Sequence, residues 1–178
     1  LVSSHREDRM LLDINTVPEM LVKALTLVED KDFYKHHGVA PMSILRALVA
    51  NIAAGRTVQG GSTLTQQLVK NLYLTREKSI IRKVKEALMS VVIDARYSKD
   101  QILQAYLNEV FLAQNGNVGV HGFGLGSHFY FDRPVDELNT AEIPTLVGLV
   151  KGPSFYNPRR HPERATERRD LVLKILFE

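Results

Sequence analysis

The sequence predicts a mainly α-helical fold, and three observations support this prediction. Apolar residues recur at helical spacing through most of the 178 residues. Proline or serine stands at the start of several of these periodic segments, as is typical of helix N-termini. No segment of useful length alternates apolar and polar residues as a half-buried strand does. The hydrophobic content of 44% and the charged content of 24% are those of a globular domain with a core.

The predicted helices follow one another along the chain after a leading segment over residues 1–16. The first begins at Pro18-Glu19, because proline beside an acid favours the first turn of a helix, and it ends at Glu29. Further helices are predicted over residues 41–54, 63–71, 79–96, 98–108, 140–150 and 162–177. Ser62 is the predicted N-cap of the third helix. Residues 114–119 are predicted to form a turn-rich loop and residues 120–131 a helix or a pair of turns.

Two of these helices carry apolar stripes that are expected to face the core. In the second helix the stripe consists of Ile44, Leu45, Leu48, Val49 and Ile52. In the helix over 79–96 it consists of Ile81, Val84, Leu88, Val91, Val92 and Ala95. Apolar spacing of this kind is typical of a helix packed on one side. Some apolar residues are also candidates for contact with a membrane, with at least half expected to be core instead: Val58, Ile80, Ile81, Leu88 and Met89.

Several classes of function are disfavoured by what the sequence lacks. Without cysteine there are no disulfides, no thiolate nucleophile and no Cys-based zinc site. The histidines do not have helical metal-ligand spacing, and the glycines at 122–126 lack the preceding strand of a nucleotide-binding loop. No run of about 18 apolar residues could span a membrane. Leu1 is not an initiator methionine, so the chain is expected to be part of a longer protein.

Two glutamates are the candidate catalytic residues. Glu29 stands at the end of an apolar helix, where desolvation can suit a carboxylate for general acid or base chemistry, but where a plain charged helix end is equally consistent. Glu86 lies within reach of Arg82 and Lys83 on one helix face, in what could also be a simple surface ion pair. Two carboxylates facing a cleft are the minimum equipment for glycosidic chemistry.

Cations cluster between and after the two glutamates, and they suggest the leaving group. They are Lys70, Arg76, Lys78, Arg82, Lys83 and Lys85. A plain hydrolase has no use for them, whereas a transferase that releases a pyrophosphate needs cations where negative charge develops. The polar segment 62–67 is either the solvated face of a short helix or a row of hydroxyl and amide groups that orient a sugar.

Four ordered segments resemble a known family. They are residues 29–38, which open with Glu-Asp and continue to Phe, His and Gly, and residues 60–71, 82–86 and 99–109. These segments are similar to the motifs of the peptidoglycan glycosyltransferase domain, glycosyltransferase family 51, of class A penicillin-binding proteins. The resemblance runs from about residue 20 to residue 175.

The resemblance implies a fold and a reaction. The fold is a lysozyme-like helical lobe with a small, mobile, membrane-proximal jaw over about residues 41–75, within a domain over residues 17–178. The reaction is polymerisation of lipid II into glycan strands, with inversion at the donor anomeric carbon and release of undecaprenyl pyrophosphate. Glu29 is the implied general base. Glu86 is the second catalytic residue, which orients the site or binds a divalent ion bridging the phosphates.

The resemblance also implies a set of substrate-binding residues. They are Asp30, Phe33, His37, Ser62, Thr65, Gln66, Gln67, Lys70, Asn71, Lys78, Arg82, Lys83, Tyr106 and Asn108. Lys78 departs from the family pattern, in which an arginine is expected, so its contact with pyrophosphate is expected to be weaker.

Cofactors, partners and location follow from the same resemblance. No cofactor is expected to be tightly bound, although Mg or Mn could accompany the pyrophosphate. The expected partners are lipid II, the growing glycan chain, the membrane surface, the inhibitor moenomycin and, in the full-length protein, other cell-wall synthesis proteins, but no nucleic acid. The expected location is the periplasmic face of the bacterial cytoplasmic membrane, with an anchor outside this chain.

Two alternatives to the transferase stay open on sequence grounds. The first is a lytic enzyme that cuts finished peptidoglycan, since a lysozyme-like fold serves both chemistries. The cation cluster argues against it, because cleavage of a glycan has no phosphate leaving group. The second is a non-catalytic scaffold, against which the two glutamates argue.

Overall fold

The computed structural model describes residues 10–57, 60–75 and 77–178, and it confirms a mainly helical fold. The α-helices are α1 (Glu19–Glu29), α2 (Pro41–Ala54), α3 (Leu64–Tyr73), α4 (Ile80–Arg96), α5 (Lys99–Glu109), α6 (Phe123–Phe131), α7 (Glu142–Leu149) and α8 (Pro162–Phe177). Short 3₁₀ helices cover Ile14–Thr16 and Val135–Glu137. None of the helices in the described ranges is both long and apolar enough to cross a membrane.

A two-stranded antiparallel sheet lies between α5 and α6, and the helical pattern of the sequence does not predict it. Strand β1 covers Phe111–Asn115 and strand β2 covers Val118–His121. The predicted loop over residues 114–119 is therefore wrong in part, because only the two residues between the strands form the turn. Gly116 has a φ of 59° there, a left-handed conformation that glycine adopts without strain. Strands of five and four residues are too short to show a clear alternation in the sequence.

The chain divides into two compact units. The first comprises residues 107–178 together with the N-terminal residues up to Leu25, described from Met10 onward. Its core includes Leu112, Phe123, Leu146 and Val172, and α7 packs against α8. The second unit comprises residues 26–106. The predicted jaw over residues 41–75 falls inside this second unit and stays a prediction.

The second unit buries the polar side of α4, which corrects the predicted orientation of that helix. Its buried residues are Glu86 and Ser90. Ser90 lies under the turn at Gly38, where a Cβ atom would come within 2.3 Å of the Ser90 carbonyl oxygen. The predicted core stripe, which runs from Ile81 to Ala95, is exposed instead; the exposed fraction of Ile81, for example, is 70%.

The same reversal occurs on α2, whose predicted core stripe is also exposed. Ile52 is 71% exposed, and of the helix only Ala47 is buried. Helical periodicity finds the apolar face of an amphipathic helix, but it does not tell whether protein or another apolar medium covers that face. The expectation that at least half of the membrane-contact candidates are core is also wrong for the described ones, since Ile80, Ile81 and Leu88 are exposed. Val58 lies outside the described residues.

Candidate active site

Glu29 is the last residue of α1, and the helix that carries it is anchored in apolar surroundings. Ala24 and Leu25, one turn earlier, have no solvent exposure, whereas Glu29 itself is half-buried. The amide of Asp30 donates to the carbonyl of Thr26, at 2.9 Å, and closes the last turn of α1, which ends at Glu29. The carboxylate of Glu29 therefore stands where α1 ends and the turn of the second unit begins.

That turn is tied to the start of α3 by the buried carboxylate of Asp30. Asp30 Oδ2 accepts a hydrogen bond from the amide of Leu64, at 2.9 Å, and lies 2.7 Å from His36 Nε2. The amide of Gly38 donates to His36 Nδ1 at 3.1 Å, so Nδ1 is the unprotonated nitrogen and Nε2 carries the hydrogen that points to Asp30. Thr63 Oγ1 donates to the Gly38 carbonyl at 2.7 Å and closes the junction.

His36 is the histidine of this junction, and the substrate-binding role of the neighbouring His37 stays a prediction. His37 is exposed, and it takes no part in the Asp30 contacts. The adjacent histidines could not be separated by local pattern. The spacing of two residues between His36 and Gly38, which lets the Gly38 amide reach the ring, is the signal that could have identified His36 as the histidine that contacts Asp30.

We expect Asp30→Ala to lower the free energy of unfolding by about 2–4 kcal/mol, since it leaves a buried amide and a buried imidazole without their shared acceptor. Denaturation by urea measures the change. Asp32→Ala is the matched control in the same turn, because the Asp32 side chain is only half-buried, and we expect an effect of about 0.5 kcal/mol or less. Equal losses for the two variants would contradict the role given to Asp30.

Tyr106 and Gln67 are brought together beside Glu29. Tyr106 is fully buried, and its hydroxyl donates to Gln67 Oε1 at 3.0 Å. Burial, and then the negative charge of Glu29, raise the pKa of Tyr106 well above its ordinary value of 10.0. The phenol therefore stays neutral and remains a hydrogen-bond donor near the candidate base. Both residues were named from the sequence, and the charge of Glu29 acts on Tyr106, which contacts Gln67.

The raised pKa of Tyr106 predicts an alkaline loss of stability. In the unfolded chain this phenol ionises near its ordinary pKa, whereas in the folded protein it keeps its proton, so stability falls as the pH rises above about 10. We expect Tyr106→Phe to flatten that fall, by up to about 1.4 kcal/mol per pH unit. Urea denaturation between pH 8 and 11 measures the slope. Tyr97→Phe, at an exposed position, is the control, and equal slopes for both variants would refute the prediction.

Glu86 is enclosed by two cations rather than exposed to a cleft. It is 1% exposed, with Oε2 at 2.9 Å from an Arg82 guanidinium nitrogen and Oε1 at 2.6 Å from Lys83 Nζ. Lys83 Nζ also donates to Ser62 Oγ at 2.6 Å, which links α4 to the segment before α3. Both carboxylate oxygens are thus engaged. Within the described ranges, no group of three or more His, Asp or Glu side chains could hold a metal ion.

The predicted substrate residues on and after α3 divide into buried and exposed ones. Thr63, not the predicted Ser62, is the N-cap, because it exchanges hydrogen bonds with Gln66 in a capping box. Gln66 is therefore a buried structural residue, and Thr65 is fully buried as well. Lys70, Asn71 and Lys78 are exposed and free to meet a ligand. Arg76 lies outside the described residues.

Two further predicted substrate residues, Phe33 and Asn108, are engaged in packing or hydrogen bonds within the protein. Phe33 has no exposed surface and packs edge-to-face with Tyr34 and His36, with ring centroids 5.1 and 6.0 Å apart. Asn108 lies in the first unit, where its amide accepts from the Leu12 amide at 2.8 Å and donates to the Leu12 carbonyl at 3.0 Å. Both ends of the Asn108 side chain are therefore used to hold the backbone before α1.

Comparison with known proteins places the whole chain in one family. The family model described as Transglycosylase matches residues 1–177. The chain is 58% identical to penicillin-binding protein 1B of Vibrio cholerae over 172 residues, which are 97% of the chain and 22% of that protein. It is 55% identical to penicillin-binding protein 1B of Haemophilus influenzae over 178 residues, which are 100% of the chain and 23% of that protein.

The corresponding protein of Escherichia coli is 53% identical over 174 residues, which are 98% of the chain and 21% of that protein. The chain thus spans less than a quarter of the length of these relatives. The match nevertheless covers the Glu29 turn, the α3 segment and the Glu86 cluster together. The chain belongs to the transglycosylase family, the peptidoglycan glycosyltransferase domains of class A penicillin-binding proteins.

Proposed function

We propose that this domain polymerises lipid II, with Glu29 as the general base. The observation that carries the proposal is the half-buried carboxylate of Glu29 at the end of α1, beside the neutral, buried phenol of Tyr106. A carboxylate in such surroundings is suited to accept a proton in the transition state. The lytic alternative has no specific observation in its favour.

The proposed step breaks one bond and forms one. Glu29 takes the proton of the acceptor 4-hydroxyl while that oxygen attacks the anomeric carbon of the donor. The bond between this carbon and the pyrophosphate oxygen breaks, the electron pair leaves with undecaprenyl pyrophosphate, and the anomeric configuration inverts. The proton then passes from Glu29 to solvent. General-base catalysis of this kind contributes about 10²- to 10⁴-fold to a rate.

The leaving group is assigned to the cations of α3 and α4. Lys70 and Lys78 are exposed, and Lys83 is half-exposed while its ammonium rests on Glu86 and Ser62. The pairing with Glu86 holds Arg82 and Lys83 in place before substrate arrives, so less conformational freedom is lost when pyrophosphate binds. Glu86 therefore acts as a positioning residue for two cations in this proposal.

A metal centre held by Glu86 does not fit these contacts. Both of its oxygens are bound by cationic groups, which would have to leave before a divalent ion could be coordinated. Any Mg or Mn ion would in this proposal arrive with the pyrophosphate as part of the substrate, and no step of the mechanism passes through it.

The surface of a membrane is the proposed partner of the exposed apolar residues on α2 and α4. They are Met42, Ile44, Leu45, Leu48, Val49 and Ile52 on α2, and Ile80, Ile81, Val84, Leu88, Val91 and Val92 on α4. A water-facing surface rarely exposes so many large apolar side chains on two helices of one compact unit. A substrate with a long lipid tail gives such residues a use. We accordingly place the domain at the periplasmic face of the cytoplasmic membrane, anchored by a segment outside this chain.

We expect the double variant Ile81→Asp/Leu88→Asp to bind vesicles of anionic phospholipid about tenfold or more weakly than the original sequence, because two exposed apolar side chains are lost and two negative charges are added. Flotation with such vesicles measures the change. Phe177→Asp, which alters an exposed apolar residue of α8, is the matched control and is expected to float as before. Undiminished flotation of the double variant would remove α4 from the membrane contact.

Incubation with labelled lipid II, with and without moenomycin, followed by sizing of the products, tests the proposed function. We expect long glycan strands without the inhibitor and none with it, since moenomycin is proposed to occupy the donor region. Conversion of finished peptidoglycan into fragments, with lipid II left unchanged, would instead establish the lytic alternative and refute the proposal.

A further inference from the structure

Lys99 lies at a meeting point of three elements in the second unit, and the reaction proposed above does not use it. Its ammonium is 2.5 Å from Asp94 Oδ1, 2.6 Å from the carbonyl oxygen of His36 and 5.1 Å from the centroid of the Phe33 ring. Asp94 belongs to the last turn of α4, whereas His36 and Phe33 belong to the turn that follows Glu29. One side chain therefore joins α4, α5 and this turn.

The local sequence fixes Lys99 in this place. The Gln101 amide donates to Ser98 Oγ at 3.1 Å, and the Ser98 amide donates to Gln101 Oε1 at 2.9 Å. This reciprocal pair caps the helix, so α5 begins at Lys99. The side chain of Lys99 is 21% exposed and that of Asp94 is 8% exposed. An ammonium that has lost most of its hydration needs charged and polar partners, and Asp94, the His36 carbonyl and the Phe33 ring supply them.

The contact with the His36 carbonyl acts on the residues beside the candidate base. The side chain of the same His36 holds Asp30, and Asp30 holds the amide of Leu64 at the start of α3. A continuous set of polar contacts thus runs from Asp94 through Lys99 and His36 to Asp30, the residue after Glu29. A displacement of the His36 backbone would be passed along this set to the end of α1.

We propose that Lys99 is a positioning residue, which acts through the His36 carbonyl to hold the turn after Glu29 in its active geometry. The inference rests on the proposed role of Glu29. Asp94 in turn holds the ammonium of Lys99. If the ion pair of Lys99 with Asp94 only fastened α5 to α4, the contact with the His36 carbonyl would not be needed. The fastening role and the positioning role can therefore be tested separately.

Lys99→Met, tested in the whole protein, removes the contacts of the ammonium with Asp94 and with the His36 carbonyl. We expect kcat for lipid II to fall about 10- to 100-fold, because small misplacements of reacting groups lower rates by such factors. Lys99→Arg keeps a cation that can reach both acceptors, so it should restore most of the rate. Asp94→Asn leaves the ammonium on the carbonyl and should be milder than Lys99→Met. Lys35→Met, at an exposed position of the same turn, should keep the original rate.

Hydrogen exchange without substrate separates positioning from loss of folding. In Lys99→Met we expect faster exchange of the Phe33, Lys35 and His36 amides, with unchanged protection at Leu68 and Val69 in the middle of α3. The double variant Asp94→Asn/Lys99→Met has no unpaired buried charge, so it should regain stability but stay slow. It also replaces Lys99→Met if that variant does not fold.

Three results would overturn this inference. They are an unchanged kcat in Lys99→Met, unchanged exchange of the turn amides, and an Asp94→Asn variant as slow as Lys99→Met. If Lys99→Met fails any of these tests while the original protein polymerises lipid II, only the role of Lys99 is wrong. If the original protein does not polymerise lipid II, the proposed function is wrong, and the exchange of the turn amides alone decides whether Lys99 holds the turn.

Discussion

Glu29→Gln is expected to lower the rate of glycan synthesis from lipid II by about 10²- to 10⁴-fold, the usual contribution of a general base. Glutamine has almost the same shape as glutamate but cannot accept the proton of the acceptor hydroxyl. Its effect on folding is expected to be small, because Glu29 is a half-buried residue at a helix end. Steady-state turnover of labelled lipid II measures the rate.

The binding of the donor separates this result from a general disturbance of the site. We expect Glu29→Gln to bind moenomycin as tightly as the original protein, since the proposed pyrophosphate contacts come from Lys70, Arg82 and Lys83. Lys70→Ala should show the opposite behaviour and bind it more weakly by calorimetry. A Glu29→Gln variant that makes glycan at the original rate would exclude Glu29 as the base.

Glu86→Ala is the second large effect that we expect, and it combines stability with activity. Removal of the buried carboxylate leaves Arg82, whose side chain is only 16% exposed, without its anionic partner. Breaking a buried ion pair in this way costs about 3–5 kcal/mol, reduced here to about 2–4 because Lys83 is half-exposed and can be rehydrated. The catalytic efficiency kcat/KM should fall as well, because both cations lose the group that orients them toward pyrophosphate.

An exposed ion pair on α8 provides the control for this experiment. Arg169 lies 2.8 Å from Asp170, whose side chain is 58% exposed, so Asp170→Ala is expected to change stability by about 0.5 kcal/mol or less. Thermal or urea denaturation measures both variants. If Glu86→Ala is no less stable than Asp170→Ala, then the contacts of Glu86 with Arg82 and Lys83 do not stabilise the fold as their burial indicates.

Helix starts were predictable because short-range chemistry determines them. Pro41 at the start of α2 acts through the first turn alone, and this prediction is confirmed. The predicted range 79–96 also matches α4 with its N-cap Ser79. The hairpin of β1 and β2 was missed because its pairing depends on the partner strand more than on local alternation. The prediction of Ser62 as the N-cap of α3 was wrong because Ser62 and Thr63 both carry a hydroxyl that can cap a helix. Only the contact with Gln66 distinguishes them.

The orientation of α2 and α4 could not be read from their apolar stripes. Periodicity identifies an apolar face, but a face that meets a membrane and a face that meets a core look alike in sequence. On α4 the buried side is polar, with Glu86 and Ser90, because the cations of the same helix satisfy the carboxylate. A rule that apolar residues lie inside therefore gives the wrong answer for this helix.

The candidate site was predictable in its main residue and not in its supports. Glu29 was identified by an acid at the end of an apolar helix, together with the family motifs. His36 and Lys99 act through a carbonyl, a ring nitrogen and a carboxylate from separate elements, which sequence spacing does not reveal. Phe33 and Gln66 lie inside the motifs that imply substrate residues; the structure buries both, and their role toward the substrate stays a prediction.

Simultaneous measurement of released undecaprenyl pyrophosphate and of glycan length, for the original protein and for Glu29→Gln, tests the central claim most directly. The claim is that Glu29 drives glycosidic bond formation with pyrophosphate as the leaving group. We predict one lipid pyrophosphate released per bond formed in the original protein, and a parallel loss of both products in Glu29→Gln. Glycan formation by Glu29→Gln at the original rate, or pyrophosphate release without bond formation in the original protein, would contradict it.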